Sequence, residues 1–144
     1  FKITGPANFN ASPGFKTIVN RLCADSGRVL LLDLADCITM DSTFLGVLAH
    51  LSQSLGKPIE LLNPSDRIND LLDNLGVLDF FRIDHGENPL TARLESTESP
   101  DADKRELAET SLEAHKALMA LNPENIPRFK DVAKFLEEDL KRQE

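Results

Sequence analysis

No apolar run in the sequence is long enough to cross a bilayer, and residues 1–144 hold no basic-then-apolar leader. No membrane role is expected, and the expected place of work is the cytoplasm. Glycine-rich phosphate cradles of the GxxxxGKS or GxGxxG kind are missing too; the seven glycines are scattered, mostly at expected helix ends. Cysteine is scarce. Cys23 and Cys37 form no CxxC pair and have no histidine at metal-ligand spacing. Both read as small buried side chains in a reducing compartment. Positive charge is short: 16 Lys and Arg stand against 24 Asp and Glu, giving a net charge of −8. Binding to nucleic acid or to an anionic membrane needs a positive field, so neither is expected. The acidic balance suits a protein partner that carries basic residues. No cofactor or metal is expected.

What is present is enough for one domain with a sizeable core. The composition, 41% hydrophobic and 28% charged, is ordinary for a soluble globular chain. Residues 1–4 read as the remnant of a strand, broken by Gly5-Pro6. With Phe1 as the opening residue, a preceding first strand is expected to be missing. Ser12-Pro13 offers a cap and a first helical position, and Phe15, Ile18, Val19, Leu22 and Cys23 follow on one helical face. Gly27 is the expected stop. Residues 28–34 are apolar on both alternating sets and read as a strand buried on both faces. A helix is expected over about 42–55, with Phe44, Val47, Leu48, Leu51 and Leu55 on its stripe and Gly56 at its end. Pro58 to Leu62 reads as a strand. A helix bearing Ile68, Leu71, Leu72 and Leu75 follows and stops at Gly76, and residues 79–83 read as a short last strand. Strands alternating with helices imply crossovers and a largely parallel sheet.

Residues 86–103 are polar and read as a linker. Two amphipathic helices follow, one over about 106–121 with Leu107, Ala114, Leu118 and Leu121, the other over about 127–141 with Phe129, Val132, Ala133, Leu136 and Leu140. Each must bury its stripe on the sheet domain, on the other helix or on a second subunit.

The most informative stretch is Met40-Asp41-Ser42-Thr43-Phe44-Leu45-Gly46, just past the apolar run 28–34. Asp41 or Ser42 is a natural N-cap, because its oxygen accepts from the free N–H groups of the first turn. The hydroxyls of Ser42 and Thr43 then sit at a helix mouth, where the dipole favours a phosphate. The three histidines are isolated in sequence. A Ser42–His50–Asp41 triad fails on geometry, since His50 is about 12 Å along the helix from Ser42 at 1.5 Å per residue. Asp33, Asp36 and Asp41 could form a carboxylate rim for Mg²⁺, but caps and turns explain them better.

Strand–loop–Met-Asp-Ser-Thr-x-Leu-Gly–helix resembles the phosphorylation site of the STAS domain family, the bacterial anti-sigma factor antagonists. The likeness extends to Leu30-Leu31-Leu32-Asp33-Leu34, to residues 56–64 and to residues 68–81, and covers roughly 1–85. It departs at Phe44, where the family usually has a small residue. The resemblance implies an α/β fold: a mostly parallel or mixed sheet of four to five strands with packed helices, here followed by a helical extension over 104–144. It implies a phosphorylation-controlled interaction module and not an enzyme. The unphosphorylated form would bind an anti-sigma factor that is also a serine-protein kinase of the histidine-kinase-like ATPase type, and phosphorylation would break the complex. Ser42 or Thr43 would accept the phosphate, with Asp41, Phe44 and Leu45 on the partner surface. The alternative is a scaffold or ligand-sensing subunit of the same fold that assembles, as a homo-oligomer, through its helical tail.

Overall fold

The computed structural model describes residues 3–22, 30–86 and 103–142. The elements run β1 (Gly5–Ala7), α1 (Ser12–Leu22), β2 (Leu31–Asp33), β3 (Cys37–Met40), α2 (Ser42–Leu55), β4 (Ile59–Leu62), α3 (Asp66–Asn74), a 3₁₀ turn (Leu78–Phe80), β5 (Phe81–Asp84), α4 (Lys104–Leu121), a second 3₁₀ turn (Pro123–Asn125) and α5 (Ile126–Arg142).

Every strand pair among the described residues is parallel, as alternating strands and helices require. β4 lies between β2 and β5, with Leu61 opposite both Leu32 and Ile83. β1 pairs with β3 apart from this sheet. The expected sheet of four to five strands is therefore a three-stranded sheet plus a two-stranded pair. One backbone bond joins them, from Ile3 N–H to the Asp33 carbonyl, while Gly5 N–H to Asp36 and Asp41 N–H to Ala7 extend the β1–β3 pair at its two ends, each at 3.0 Å.

Two expectations are corrected here. Gly5-Pro6 does not break the first strand but begins it, with an irregular register between the two residues. Proline is tolerated there because β1 pairs on one side only. The second correction is β3, which was not expected. The sequence-based helix stop at Gly27 and residues 87–102 of the linker expected over 86–103 lie outside the described residues, as does Cys23.

The helices begin and end on local chemistry. Gly56, at φ 66°, closes α2 by donating its N–H to the Gln53 carbonyl. The Ser65 hydroxyl accepts from Ile68 N–H and starts α3. Asp103 does the same for α4 through Glu106 N–H at 2.7 Å.

The core gathers Leu32 and Leu34, the α2 stripe Phe44, Leu45, Leu48 and Leu51, Ile59 and Leu61 of β4, and Ile68 and Leu72 of α3. Ala114 and Leu118 of α4 belong to it as well. The first tail helix thus lies on the domain, packed mainly along α2. Fully burying a side chain such as Leu118 contributes about 1.5–3 kcal/mol. Gly46 makes this close approach possible: a Cβ there would fall 2.7 Å from the Ala114 carbonyl carbon and overlap its oxygen. The turn after α4 is clasped from below. Asn125 is fully buried and donates through Nδ2 to the carbonyls of Leu75 (2.9 Å) and Leu118 (3.0 Å). α5 then packs on α4.

No helix among the described residues is long and apolar enough to cross a membrane.

Candidate functional site

β3 delivers the chain to the mouth of α2 with Asp41 in extended backbone (φ −98°, ψ 172°), the geometry a cap needs. Its two oxygens have separate tasks. Oδ1 accepts from Phe44 N–H at 2.8 Å and caps the helix, while Oδ2 accepts from Phe9 N–H at 2.7 Å and holds the loop before α1. Of the two cap candidates, Asp41 is therefore the cap, and Ser42 is the first residue of the helix.

The Ser42 and Thr43 hydroxyls do not point into open solvent. Ser42 Oγ lies 2.9 Å from His115 Nε2, and Thr43 Oγ1 lies 3.1 Å from Ser111 Oγ. Both partners are on α4. His115 Nδ1 lies 2.7 Å from the Ser111 carbonyl. A carbonyl can only accept, so Nδ1 carries the proton; in the neutral ring Nε2 is the acceptor and Ser42 donates to it. The Phe129 ring of α5 packs on the imidazole with centroids 4.9 Å apart. Thr43 is 6% exposed and His115 4%, whereas Ser42 keeps a partly open side.

Phe44 and Leu45 are corrected. They are 2% and 0% exposed, so neither can lie on a docking surface in this conformation. Phe44 stacks on Phe15 of α1, ring centroids 4.9 Å apart, and fills the core as its stripe position requires. The open ground is on the other flank of Asp41. A groove of about 700 Å³ runs past Asn8, Met40, Asp41, Arg67, Leu71 and Asn74. Phe9 (48% exposed) and Ile38 (68%) stand beside residues of its wall and present apolar surface to solvent.

The other candidates have structural partners. His50 faces Glu113 of α4 at 3.1 Å, and Glu113 also takes Lys16 of α1 at 2.6 Å. This half-exposed carboxylate straps α4 to α1 and α2. Asp33 is buried and accepts from Ala35 N–H. Among the described residues no group of three or more His, Cys, Asp or Glu side chains is placed to hold a metal ion. Cys37 is a free thiol; burial pushes its pKa up, and backbone contacts with Ala7 and Thr39 offset part of the rise.

Sequence reasoning missed the pairing of Ser42 with His115. Its signal was Ser111 and His115 four apart on the apolar stripe of α4. A polar pair on a buried face needs a polar answer from the surface it meets.

Residues 1–91 match the STAS domain family. No curated protein matches the chain.

Proposed function

The chain belongs to the STAS domain family, and from that premise we propose that it is an anti-sigma factor antagonist switched by phosphorylation at the mouth of α2. The observation that carries this reading is the site itself. A serine hydroxyl stands, partly open, at the first position of a helix, beside a carboxylate cap that also lines a largely polar groove. The partner is an anti-sigma factor that is also a serine-protein kinase of the histidine-kinase-like ATPase type. It docks on the groove flanked by Phe9 and Ile38, in place of the Phe44 and Leu45 surface expected from the sequence.

Ser42 is the acceptor and Thr43, being buried, is the lesser one. In the transfer a bond forms between Ser42 Oγ and the γ-phosphorus of ATP as the β–γ bridge breaks. ADP leaves, and the hydroxyl proton passes to the kinase's base. The product carries about −1.5 to −2 charges at this spot. Asp41 already places a carboxylate there. A partner that covers both must bury unmatched charge, which opposes the complex. The protein is the substrate of this chemistry and not its catalyst: the Ser42–His115 pair looks like a nucleophile with its base, but the imidazole is buried between α2 and Phe129.

The test is a pull-down with unphosphorylated protein, mass spectrometry of what is captured, and phosphopeptide mapping after incubation with the captured kinase and ATP. Phosphate on Ser42 and loss of the complex are expected. Phosphate confined to Ser96 or Ser99 would refute the reading. A second reading, assembly through the tail, is favoured by Val132 and Phe135, which α5 leaves exposed. Sedimentation analysis of wild type and Phe135→Glu would decide it: an oligomer that Phe135→Glu dissociates is expected, and a monomeric wild type would refute it.

A further inference from the structure

We propose that α4 is a latch over Ser42: His115 ties down the hydroxyl in the resting protein, and a phosphate on that hydroxyl unseats the helix. The inference rests on reading Ser42 as the phospho-acceptor, and it adds what the phosphate acts on first.

On the side that faces α4 the geometry leaves a phosphate no seat. Ser42 Oγ and His115 Nε2 are already at hydrogen-bond distance, 2.9 Å. A phosphoryl group puts a phosphorus and three further oxygens on this oxygen. The imidazole cannot retreat, because Phe129 packs on it and its Nδ1 is fixed on the Ser111 carbonyl. Rolling α4 along α2 is blocked where the Ala114 backbone lies on Gly46, one turn from Ser42. The neighbouring hydroxyls, Thr43 and Ser111, are bonded to each other.

Charge points the same way. Asp41 is next in the chain, with both oxygens in use. Lys16 of α1 and His50 of α2 face Ser42's helix pair but are engaged by Glu113. Arg67 lines the groove on the other flank of Asp41, away from α4, and a doubly protonated His115 would turn an N–H toward the phosphate. The steric terms act against that pairing in place.

Detachment costs the protein a defined set of contacts. Ser42–His115, Thr43–Ser111, the Glu113 strap and the burial of Ala114 and Leu118 are all lost together. Phosphate transfer at one hydroxyl is thereby converted into release of a helix. In the resting state the same bond makes Ser42 a guarded substrate, available to a kinase only as fast as α4 lifts.

Phosphoserine placed at position 42 during translation tests this without a kinase. Hydrogen exchange is read in full-length protein by mass spectrometry. Amides of residues 107–121 should exchange at least tenfold faster than in wild type, while β4 amides stay protected. Gly46→Ala, a wedge without charge, should give the same pattern. Unchanged protection of 107–121 with phosphoserine at position 42 overturns the latch, and so does equal loss of protection in β4, which would mark Ser42 as a general structural residue. The two readings separate cleanly. Release of α4 by the installed phosphate, together with a captured kinase that never modifies Ser42, supports the latch and refutes the switch. Modification of Ser42 with α4 still protected does the reverse.

Discussion

Replacing Asp41 by Ala removes two hydrogen bonds that point to different elements. The cap on Phe44 N–H, at 2.8 Å, closes α2; the bond from Phe9 N–H, at 2.7 Å, pins the loop before α1. Loss of an N-cap side chain costs about 0.5–2 kcal/mol. The second bond has an ionised acceptor but is exposed to solvent, so about 1 kcal/mol is a fair expectation for it. The sum is about 1.5–3 kcal/mol, or a fall in Tm of about 3–12 °C for a chain near this size. Asp41→Asn retains one carbonyl oxygen, and Asn caps as well as Asp. It should recover the cap and lose the Phe9 contact, placing it midway between wild type and Ala. Urea denaturation of the three proteins, followed by circular dichroism, gives the numbers. A cost below about 0.5 kcal/mol for Ala would mean the carboxylate does not cap α2. An Asn variant as unstable as Ala would refute the division of labour between the two oxygens.

Ser42→Ala should cost about 1–2 kcal/mol by leaving a buried imidazole nitrogen without its partner, since the cap itself stays intact. In a double-mutant cycle with His115→Ala the coupling should be about 1 kcal/mol, and a coupling near zero would remove the Ser42–His115 bond from the account. Cys37 should react with a disulfide reagent far more slowly in the folded protein than in urea. Its raised pKa keeps the buried thiol neutral, so it opposes no folding below the ordinary thiol value of 9.0; stability should fall as the pH rises past that value, because the unfolded chain then loses the proton first. Equal labelling rates, or an alkaline stability unchanged by Cys37→Ala, would contradict this.

Helices α2 and α3 were legible because their signals are local. A periodic stripe, a cap such as Ser65 and a stop such as Gly56 all act within a few residues. β3 was not legible. Cys37-Ile38-Thr39-Met40 has no clean alternation, Ile38 faces solvent, and the segment is a strand because β1 lies beside it some thirty residues away in sequence. The motif 40–46 correctly located the helix mouth and the capping carboxylate. It misplaced Phe44, which was both a stripe residue and a supposed surface residue; the stripe decides, since Phe15 is there to receive the ring. His115 is 73 residues from Ser42, and only the docking of α4 brings them together. No local pattern encodes a contact that depends on how two helices cross, although the glycine and alanine that permit the crossing were visible as Gly46 and Ala114.

The clasp at Asn125 bears on what any external ligand of α2 must contend with. It joins the base of α4 to the Leu75 carbonyl at the end of α3, away from Ser42. A helix lifted from Ser42 but still held at this point is a tethered competitor, present at an effective concentration in the millimolar range for short tethers. An outside helix seeking the same face is titrated against it, and its apparent affinity is scaled by the fraction of molecules in which the face is vacant. With one molecule in a hundred open, a micromolar ligand would register as one of about 100 μM. Occupancy of that face is therefore governed by residues far from it, and weakening Asn125 would sharpen the response to a ligand without altering a single atom of the binding surface.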